Sequence, residues 1–256
     1  MSSIAAAASI RPNIDHWAER VDLSAAFRWT ARLNMHESVA NHFSLAVSGD
    51  GHRFLMNPNQ KHFSRIKASD LLLIDANDPK TMERPDAPDP TAWALHGALH
   101  RRVPQARCLM HVHSKYATVL ASLADSSMPP IDQNTMRYYG AVAIDEGYDG
   151  MGLGEEAERV AALMEKNPGK TVLVMGNHGI MILAPTVAYA FDEMYYFERA
   201  AETLITAYMA GKPLRIASHE VAEKTARQWR EYPGVGDLHF AELKAILDDE
   251  GSDYRR

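Results

Sequence analysis

Two histidines separated by one residue are the first candidates for chemistry in this 256-residue chain. His111 and His113 flank Val112 in the apolar segment 108–113, which the pattern predicts to be a β-strand. Because side chains alternate across a strand, both imidazoles should leave one face while Val112 enters the opposite one. Two neighbouring imidazoles can form two arms of a metal site. Without further support, however, the pair favours a simpler interpretation, a strand that carries two half-buried histidines.

A third histidine lies in a tight turn between two apolar strands. His178 belongs to the sequence Gly-Asn-His-Gly at 176–179, between the apolar segments 171–175 and 180–183. We expect the two glycines to let the backbone turn sharply, so that the imidazole projects over the sheet edge toward the first pair. Three histidine ligands with positions open for substrate are typical of catalytic zinc sites. The alternative is a turn whose histidine merely caps a strand.

Other candidate sites are weaker. His96 and His100 are four residues apart on one face of a predicted helix, but no acidic residue lies between them as in zinc proteases. We expect His96 to pack under the sheet and His100 to face solvent. Cys108 lies in an apolar strand, which favours an inert buried thiol over a nucleophile. The sequence contains no nucleophile elbow, no phosphate-binding P-loop and no dinucleotide-binding glycine motif after a strand.

Helices and short strands must position these histidines, and the two kinds of element alternate along the chain. Hydrophobic periodicity predicts helices at residues 23–33, 91–103, 115–124, 155–166, 186–209, 221–231 and 240–250. It predicts strands at residues 43–48, 53–56, 71–75, 108–113, 141–144, 171–175 and 180–183. Strand–turn–strand pairs, such as the one joined at residues 49–51, indicate antiparallel neighbours. The fold class is therefore α/β with antiparallel members in its sheet.

Composition excludes several classes of protein. The 27 basic and 33 acidic residues give a net charge of −6, so nucleic-acid binding through a basic face is not expected. No apolar run approaches the roughly 18 residues that a membrane span needs. The single Cys108 excludes an intrachain disulfide and, with no signal-peptide pattern at the start of the chain, predicts a cytoplasmic protein. We expect residues 1–15 to form a flexible arm.

At its histidines the sequence resembles the class II aldolase and adducin family, from the first helix to Gly211. In that family two histidines of a His-x-His-Ser motif and the histidine of an Asn-His-Gly motif bind a divalent metal, which is zinc in the sugar-phosphate aldolases. The resemblance therefore implies that His111, His113 and His178 are metal ligands. The matching residues are Leu95, His96, Gly97, Ala98, Leu99, His100, Met110, His111, Val112, His113, Ser114, Tyr116, Ala117, Gly176, Asn177, His178 and Gly179.

The resemblance also implies a fold and an assembly. The family fold is a three-layer α/β/α arrangement, in which a largely antiparallel central sheet carries helices on both faces. We expect residues 16–215 to form this domain and residues 216–256 to be its C-terminal helical extension. The typical assembly is a cyclic homotetramer with active sites at subunit interfaces, and its partner is a small-molecule substrate.

The sequence departs from the family pattern where the aldolases bind phosphate and move protons. Their catalytic glutamate precedes the first metal histidine by nineteen residues, and this chain has Ala92 there. Their two phosphate-binding loops correspond to residues 40–44 and 57–60, without the glycine that lets backbone amides close on a phosphate. A planar or carboxylated organic acid therefore fits better than a phosphosugar. The candidates for substrate contact, each equally compatible with a structural loop role, are Asn41, His42, Asn57 and His62.

The missing glutamate favours decarboxylation over retro-aldol cleavage. A retro-aldol reaction needs a base for the hydroxyl proton, and losing a positioned base typically costs about 10²–10⁴-fold in rate. A carboxylate can leave as CO₂ without proton abstraction. We therefore predict a divalent-metal-dependent carbon–carbon lyase that acts on a small hydroxylated or carboxylated organic acid. Zn²⁺ is the expected metal, with Mn²⁺, Co²⁺ and Fe²⁺ as alternatives.

Three other functions stay open at this point. The first is an aldolase or epimerase whose base comes from elsewhere, such as Tyr138 or Tyr139 of a neighbouring subunit. The second is a non-haem Fe(II) oxygenase, because three neutral imidazoles also hold iron with sites open for O₂. The third is a non-catalytic binding module like adducin, whose metal site is degenerate, although the three histidines present here argue against it.

Overall fold

Helices and strands alternate along the chain, as the hydrophobic pattern indicates. The structure, a computed structural model, describes residues 14–150 and 155–256, so the predicted arm lies almost wholly outside the described residues. The α-helices are α1 (Trp17–Arg32), α2 (Pro90–Arg102), α3 (Lys115–Ala121), α4 (Gln133–Arg137), α5 (Glu156–Glu165), α6 (Val187–Met209), α7 (His219–Glu231) and α8 (Val235–Asp249). The strands are β1 (His42–Ala46), β2 (Arg53–Met56), β3 (Leu72–Asp75), β4 (Cys108–Val112), β5 (Val142–Asp145), β6 (Val172–Met175) and β7 (Gly179–Ala184).

The seven strands form one sheet in the order β3-β2-β1-β4-β7-β6-β5. Every neighbouring pair is antiparallel except β5 and β6, which run parallel because α5 connects them. Helices α2 and α5 pack on one face, whereas α1, α3 and α6 pack on the other and α8 lies against α1 and α6. The expected three-layer architecture with a largely antiparallel sheet is confirmed. The predicted domain limits at residues 16, 215 and 216 stay a prediction.

Strand β4 lies at the centre of the sheet and shows the alternation that the sequence predicts. Cys108, Met110 and Val112 face the layer of α1, α3 and α6, and Leu109 faces the layer of α2 and α5. All five residues of the strand are buried. Burial raises the pKa of the Cys108 thiol, as expected for an inert sulfhydryl group. His111 therefore leaves the face opposite to Val112, as predicted.

Helix α1 begins earlier than the sequence pattern predicts, at Trp17 instead of residue 23. Asp22, which resembles a capping residue, lies inside the helix and forms an ion pair with Lys244 of α8 at 2.6 Å. The buried guanidinium of Arg20 donates hydrogen bonds to the carbonyl oxygens of Asp15 and Leu71. The contacts with Leu71 and Lys244 are long-range, so tertiary interactions that no local signal encodes extend the helix.

None of the helices in the described part of the chain is long and apolar enough to span a membrane. The longest, α6, has 23 residues. It carries several charged side chains, among them the buried Asp192 and Glu198. Its apolar residues pack against the sheet and against α3 and α8.

In the turn between β6 and β7, which positions His178, the left-handed backbone conformation and the close packing fall to different residues. The left-handed backbone position is Asn177, with φ 57°, and not one of the two flanking glycines. Gly179 is needed for a different reason, because a Cβ there would lie 2.7 Å from the carbonyl oxygen of Val112 and 2.8 Å from Cδ2 of His113. The absent side chain thus allows β7 to approach the end of β4.

We predict that Gly179→Ala destabilises the protein. The added methyl group meets backbone on one side and an imidazole on the other, so the free energy of unfolding should fall by about 1–3 kcal/mol, as for an overpacked core site. Gly49→Ala is the matched control, because a Cβ there meets no atom within 4 Å. Urea denaturation measures both variants. Equal midpoints for the two variants would contradict this account of the turn.

Candidate metal centre

His111, His113 and His178 come together above one face of the sheet. One ligand atom from each lies within 4.8 Å of the others. The ring centroids are 4.8 to 4.9 Å apart. The first two come from the end of β4, and the third comes from the turn that leads into β7. Because β4 pairs directly with β7, the sheet itself brings the three rings together.

Two of the rings face each other through nitrogens that carry no proton. His111 Nδ1 donates to the carbonyl oxygen of Ile180 at 2.9 Å, and His113 Nδ1 donates to Glu37 at 2.6 Å. Burial lowers the pKa of both rings, so each is neutral and its Nε2 is an acceptor. These two Nε2 atoms are 2.9 Å apart. Two lone pairs at that distance repel unless a cation lies between them, so the donor set fits a divalent metal, whose bonds to imidazole are about 2.0–2.1 Å long.

Two glutamates surround the three rings. Glu37 lies in the loop before β1, and Asn41 Oδ1 accepts a hydrogen bond from the Glu37 backbone N–H at 2.7 Å. Glu156 is the first residue of α5, and its Oε1 is 3.7 Å from Nδ1 of His178. Carboxylates beside imidazole ligands orient the rings and raise their basicity. Neither glutamate is recognisable from the sequence, because both are far from the histidines along the chain and belong to no motif.

A buried carboxylate fixes the end of the strand that carries His113. Glu198 of α6 accepts hydrogen bonds from the Ser114 hydroxyl at 2.6 Å and from the backbone N–H groups of Tyr116 and Ala117 at 2.9 and 3.0 Å. Ser114 occupies the N-cap position of α3, but its side chain accepts no capping hydrogen bond. Ser114 donates its proton to Glu198, and Glu198 satisfies the free N–H groups of the helix.

The three histidines line a cavity of about 430 Å³, a size typical of small-molecule sites. Asp89, Thr91, Tyr148 and Glu156 also line it. Ala92 is fully buried nearby and brings no carboxylate. Asp89 caps α2 through its Oδ1, which accepts from the N–H groups of Thr91 and Ala92 at 2.9 and 3.2 Å.

The four residues predicted for substrate contact have different surroundings in the structure. His42 lines the cavity, and its ring stacks on His111 with centroids 4.8 Å apart. Asn41 and Asn57 brace the neighbouring loops, and Asn57 Oδ1 accepts from the Phe43 N–H at 3.0 Å. His62 caps a short 3₁₀ turn at 63–65 and is not among the described residues that line this cavity. Contact of any of the four with substrate stays a prediction.

The two tyrosines proposed as the base do not line the cavity that holds the three histidines. Tyr138 is buried, its hydroxyl donates to the carbonyl oxygen of Glu193 at 2.7 Å, and burial raises its pKa well above the usual value. Tyr139 lines a separate cavity of about 510 Å³ and contacts His219. That either tyrosine acts as the base in the site of a neighbouring subunit stays a prediction.

The expectation that His100 faces solvent is wrong, because β1 presents polar side chains to α2. His42 and Ser44 lie on one face of β1, opposite Phe43, and α2 packs over them. His42 Nδ1 is 2.7 Å from His96 Nε2, and the Ser44 hydroxyl is 2.5 Å from His96 Nδ1 and 2.7 Å from His100 Nε2. Burial lowers the pKa of His42 to about 4 and that of His100 to about 3, and it lowers the pKa of His96 well below its usual range. We call this cluster of His42, Ser44, His96 and His100 the histidine relay.

Comparisons with known proteins agree with the motifs. The class II aldolase and adducin N-terminal domain family matches residues 21–205. A putative aldolase class 2 protein of Caulobacter vibrioides is 29% identical over 213 residues, which cover 83% of this chain and 81% of the relative. A Streptomyces niveus protein named decarboxylase NovR is 25% identical over 229 residues, which cover 86% of this chain and 82% of the relative. The crystal structure of an aldolase II superfamily protein from Pseudomonas syringae has a TM-score of 0.84 at 28% identity, covering 97% of this chain and all of that one.

We predict that the buried histidines destabilise the protein in acid. The folded state holds the pKa of His100 at about 3, whereas an unfolded histidine titrates near 6.5. The unfolded state therefore binds more protons between these values, and the free energy of unfolding falls as the pH drops below about 6.5. Each such ring contributes a slope of up to about 1.4 kcal/mol per pH unit.

The variant His100→Gln tests this by removing one titrating ring. Between about pH 6 and pH 4.5 its free energy of unfolding should fall less steeply with decreasing pH than that of the wild type. The difference between the two slopes should be close to the value for one proton, about 1.4 kcal/mol per pH unit. Urea denaturation of chelator-treated protein over this range gives both slopes. Parallel curves would contradict the assignment of His100 as a neutral buried ring.

Proposed function

The chain belongs to the class II aldolase and adducin N-terminal domain family, and from this premise we propose that it is a divalent-metal-dependent carbon–carbon lyase. We propose that it decarboxylates a small hydroxylated organic acid. The observation that carries the proposal is the set of side chains in and beside the cavity. Three imidazole donors line the cavity. A small neighbouring pocket, which His42 and Asp89 also line, has Ala92 at the position where the resemblance places the aldolases' glutamate.

In this proposal His111, His113 and His178 hold the metal. Glu37 fixes the proton of His113 on Nδ1, and the Ile180 carbonyl oxygen does the same for His111, so both Nε2 lone pairs face the metal position. The bound metal supplies a Lewis acid that withdraws electron density from the substrate. Zn²⁺ is the cation we expect, and Mn²⁺, Co²⁺ and Fe²⁺ are alternatives because imidazole accepts all of them.

Ala92, in place of a glutamate, favours loss of CO₂ over retro-aldol cleavage. Retro-aldol cleavage needs a positioned base, and Ala92 leaves that position apolar. Decarboxylation needs no proton abstraction at that place. The relative named decarboxylase NovR supports the same choice.

Retro-aldol or epimerase chemistry with another base is a second candidate. Asp89 and His42 both line the cavity, and either could stand in for the missing glutamate. An aldehyde or ketone product without CO₂ would support this candidate over decarboxylation.

We predict about one divalent metal per chain in the wild-type protein and little or none in His113→Ala. Removing one of three ligands leaves two donors, which hold a cation far more weakly. His219→Ala is the matched control, since His219 is exposed and contacts Tyr139 outside the cavity. Mass spectrometry of anaerobically purified protein gives metal per chain. Equal metal content in His113→Ala and His219→Ala would overturn the metal site.

We predict that the metal-loaded protein releases CO₂ from hydroxybenzoates or β-keto acids, and that His113→Ala does not. The assay pairs CO₂ detection with oxygen uptake, because iron at the same histidines would make the reaction depend on O₂. CO₂ release without oxygen uptake is the expected result. Stoichiometric metal with no CO₂ from any acid in the panel would overturn the decarboxylase proposal and leave the metal site intact.

A further inference from the structure

The histidine relay ends on a backbone carbonyl, and this end fixes the direction of every hydrogen bond in it. His100 Nδ1 lies 2.6 Å from the carbonyl oxygen of Ala106. A carbonyl oxygen can only accept, so His100 Nδ1 must donate. In a neutral ring the other nitrogen, Nε2, is then an acceptor. The Ser44 hydroxyl, 2.7 Å away, must donate its only proton to it.

The donors and acceptors between Ser44 and the cavity follow in the same way. Because Ser44 has given its proton to His100, its oxygen can only accept from His96 Nδ1 at 2.5 Å. The Nε2 of the neutral His96 is then an acceptor, and His42 Nδ1 must donate to it at 2.7 Å. The proton of His42 is thereby committed to Nδ1. Its Nε2 keeps a lone pair, and the ring lines the cavity beside His111.

We propose that the histidine relay locks His42 as the Nδ1–H tautomer, so that its Nε2 accepts a hydrogen bond from a hydroxyl group of the substrate beside the metal position. Ser44, His96 and His100 are positioning residues that act through His42. This inference rests on the proposed function and narrows its substrate class to acids that carry a hydroxyl donor. The relay is fully buried on the side away from the cavity, so water does not compete for its hydrogen bonds.

A ligand that lacks the hydroxyl proton would leave the acceptor of the buried His42 ring unpaired. His42 is 6% exposed, and a buried polar group left without its partner costs a substantial part of the binding free energy. Sites built to pair a hydroxyl group discriminate strongly against analogues that cannot donate. A methyl ether of the same acid keeps the carboxylate and loses the donor, which makes hydroxy acid and ether a natural pair of probes.

The tautomer of His42 is the first test, and it needs no substrate. Two-bond proton–nitrogen NMR correlations of histidine-labelled, zinc-loaded protein distinguish Nδ1–H from Nε2–H rings, and the spectrum of His42→Phe identifies the His42 signals. In the wild type we expect the Nδ1–H form to exceed the other by about tenfold or more, given the cost of an unpaired buried donor. A predominant Nε2–H form of His42 would overturn the proposal on the wild-type spectrum alone.

Two variants at Ser44 test whether the relay causes the lock. Ser44→Ala breaks the relay, which frees His96 to move its proton to Nε2 and lets His42 populate the Nε2–H form. Ser44→Thr keeps the hydroxyl and is the matched control, so it should retain the wild-type tautomer. An unchanged tautomer of His42 in Ser44→Ala would show that the relay does not set it.

Binding of two probe pairs tests the ligand class. Calorimetry on zinc-loaded protein compares 2-hydroxybenzoate with 2-methoxybenzoate, and glycolate with methoxyacetate. We expect the hydroxy acid of at least one pair to bind about tenfold or more tightly than its ether in the wild type and in Ser44→Thr, and the ratio to shrink in Ser44→Ala. No preference in either pair, through equal binding or through no binding, would overturn the ligand class. CO₂ release bears on the lyase alone, so failure of the proposed function and failure of this inference give different results.

Discussion

The pairing register of β4 with its two neighbours is the constraint on which the site depends. His111 stands opposite His42 on β1 and opposite Met181 on β7. A slip of one residue in either ladder would turn His111 to the apolar face among α1, α3 and α6 and bring Val112 to the cavity. The buried side chains on both faces of β4 make such a slip costly. The same residues that form the core therefore fix the position of the imidazoles.

Burial also decides where protons sit. Near water, an imidazole can exchange partners and tautomers freely. Under α2 each nitrogen of His96 and His100 has one hydrogen-bond partner, and the partner at the far end is a peptide carbonyl that cannot donate. The Ala106 carbonyl oxygen, the Ile180 carbonyl oxygen and the Glu37 carboxylate thus place the protons of His100, His111 and His113 on Nδ1. Much of the electrostatic character of the cavity is therefore set by groups that do not touch its contents.

The local pattern of the sequence was enough to predict the central strands and the alternation at Val112, whereas the three-layer arrangement was predicted from the resemblance to the family. It also singled out the three histidines, since the His-x-His spacing and the turn at 176–179 are short-range signals. It could not place Glu37, Glu156 or Glu198, because each reaches the site from a different element and ion pairs between distant elements leave no spacing in the chain. His100 was placed wrongly for a related reason. Its helical face looks half-polar until β1 is known to present Ser44 to it.

Strands and their immediate ends carry all three imidazoles. Gly179 allows close approach of β7 to β4, Glu198 holds the residues after His113, and the turn at Asn177 fixes His178. A zinc finger spends part of its binding free energy on gathering scattered ligands, since its unbound chain is unfolded. Here strand pairing and core packing bring the three donors together within the fold. A cation would enter and leave a finished protein, and the ligand geometry, more than the cost of folding, would govern which ions are retained.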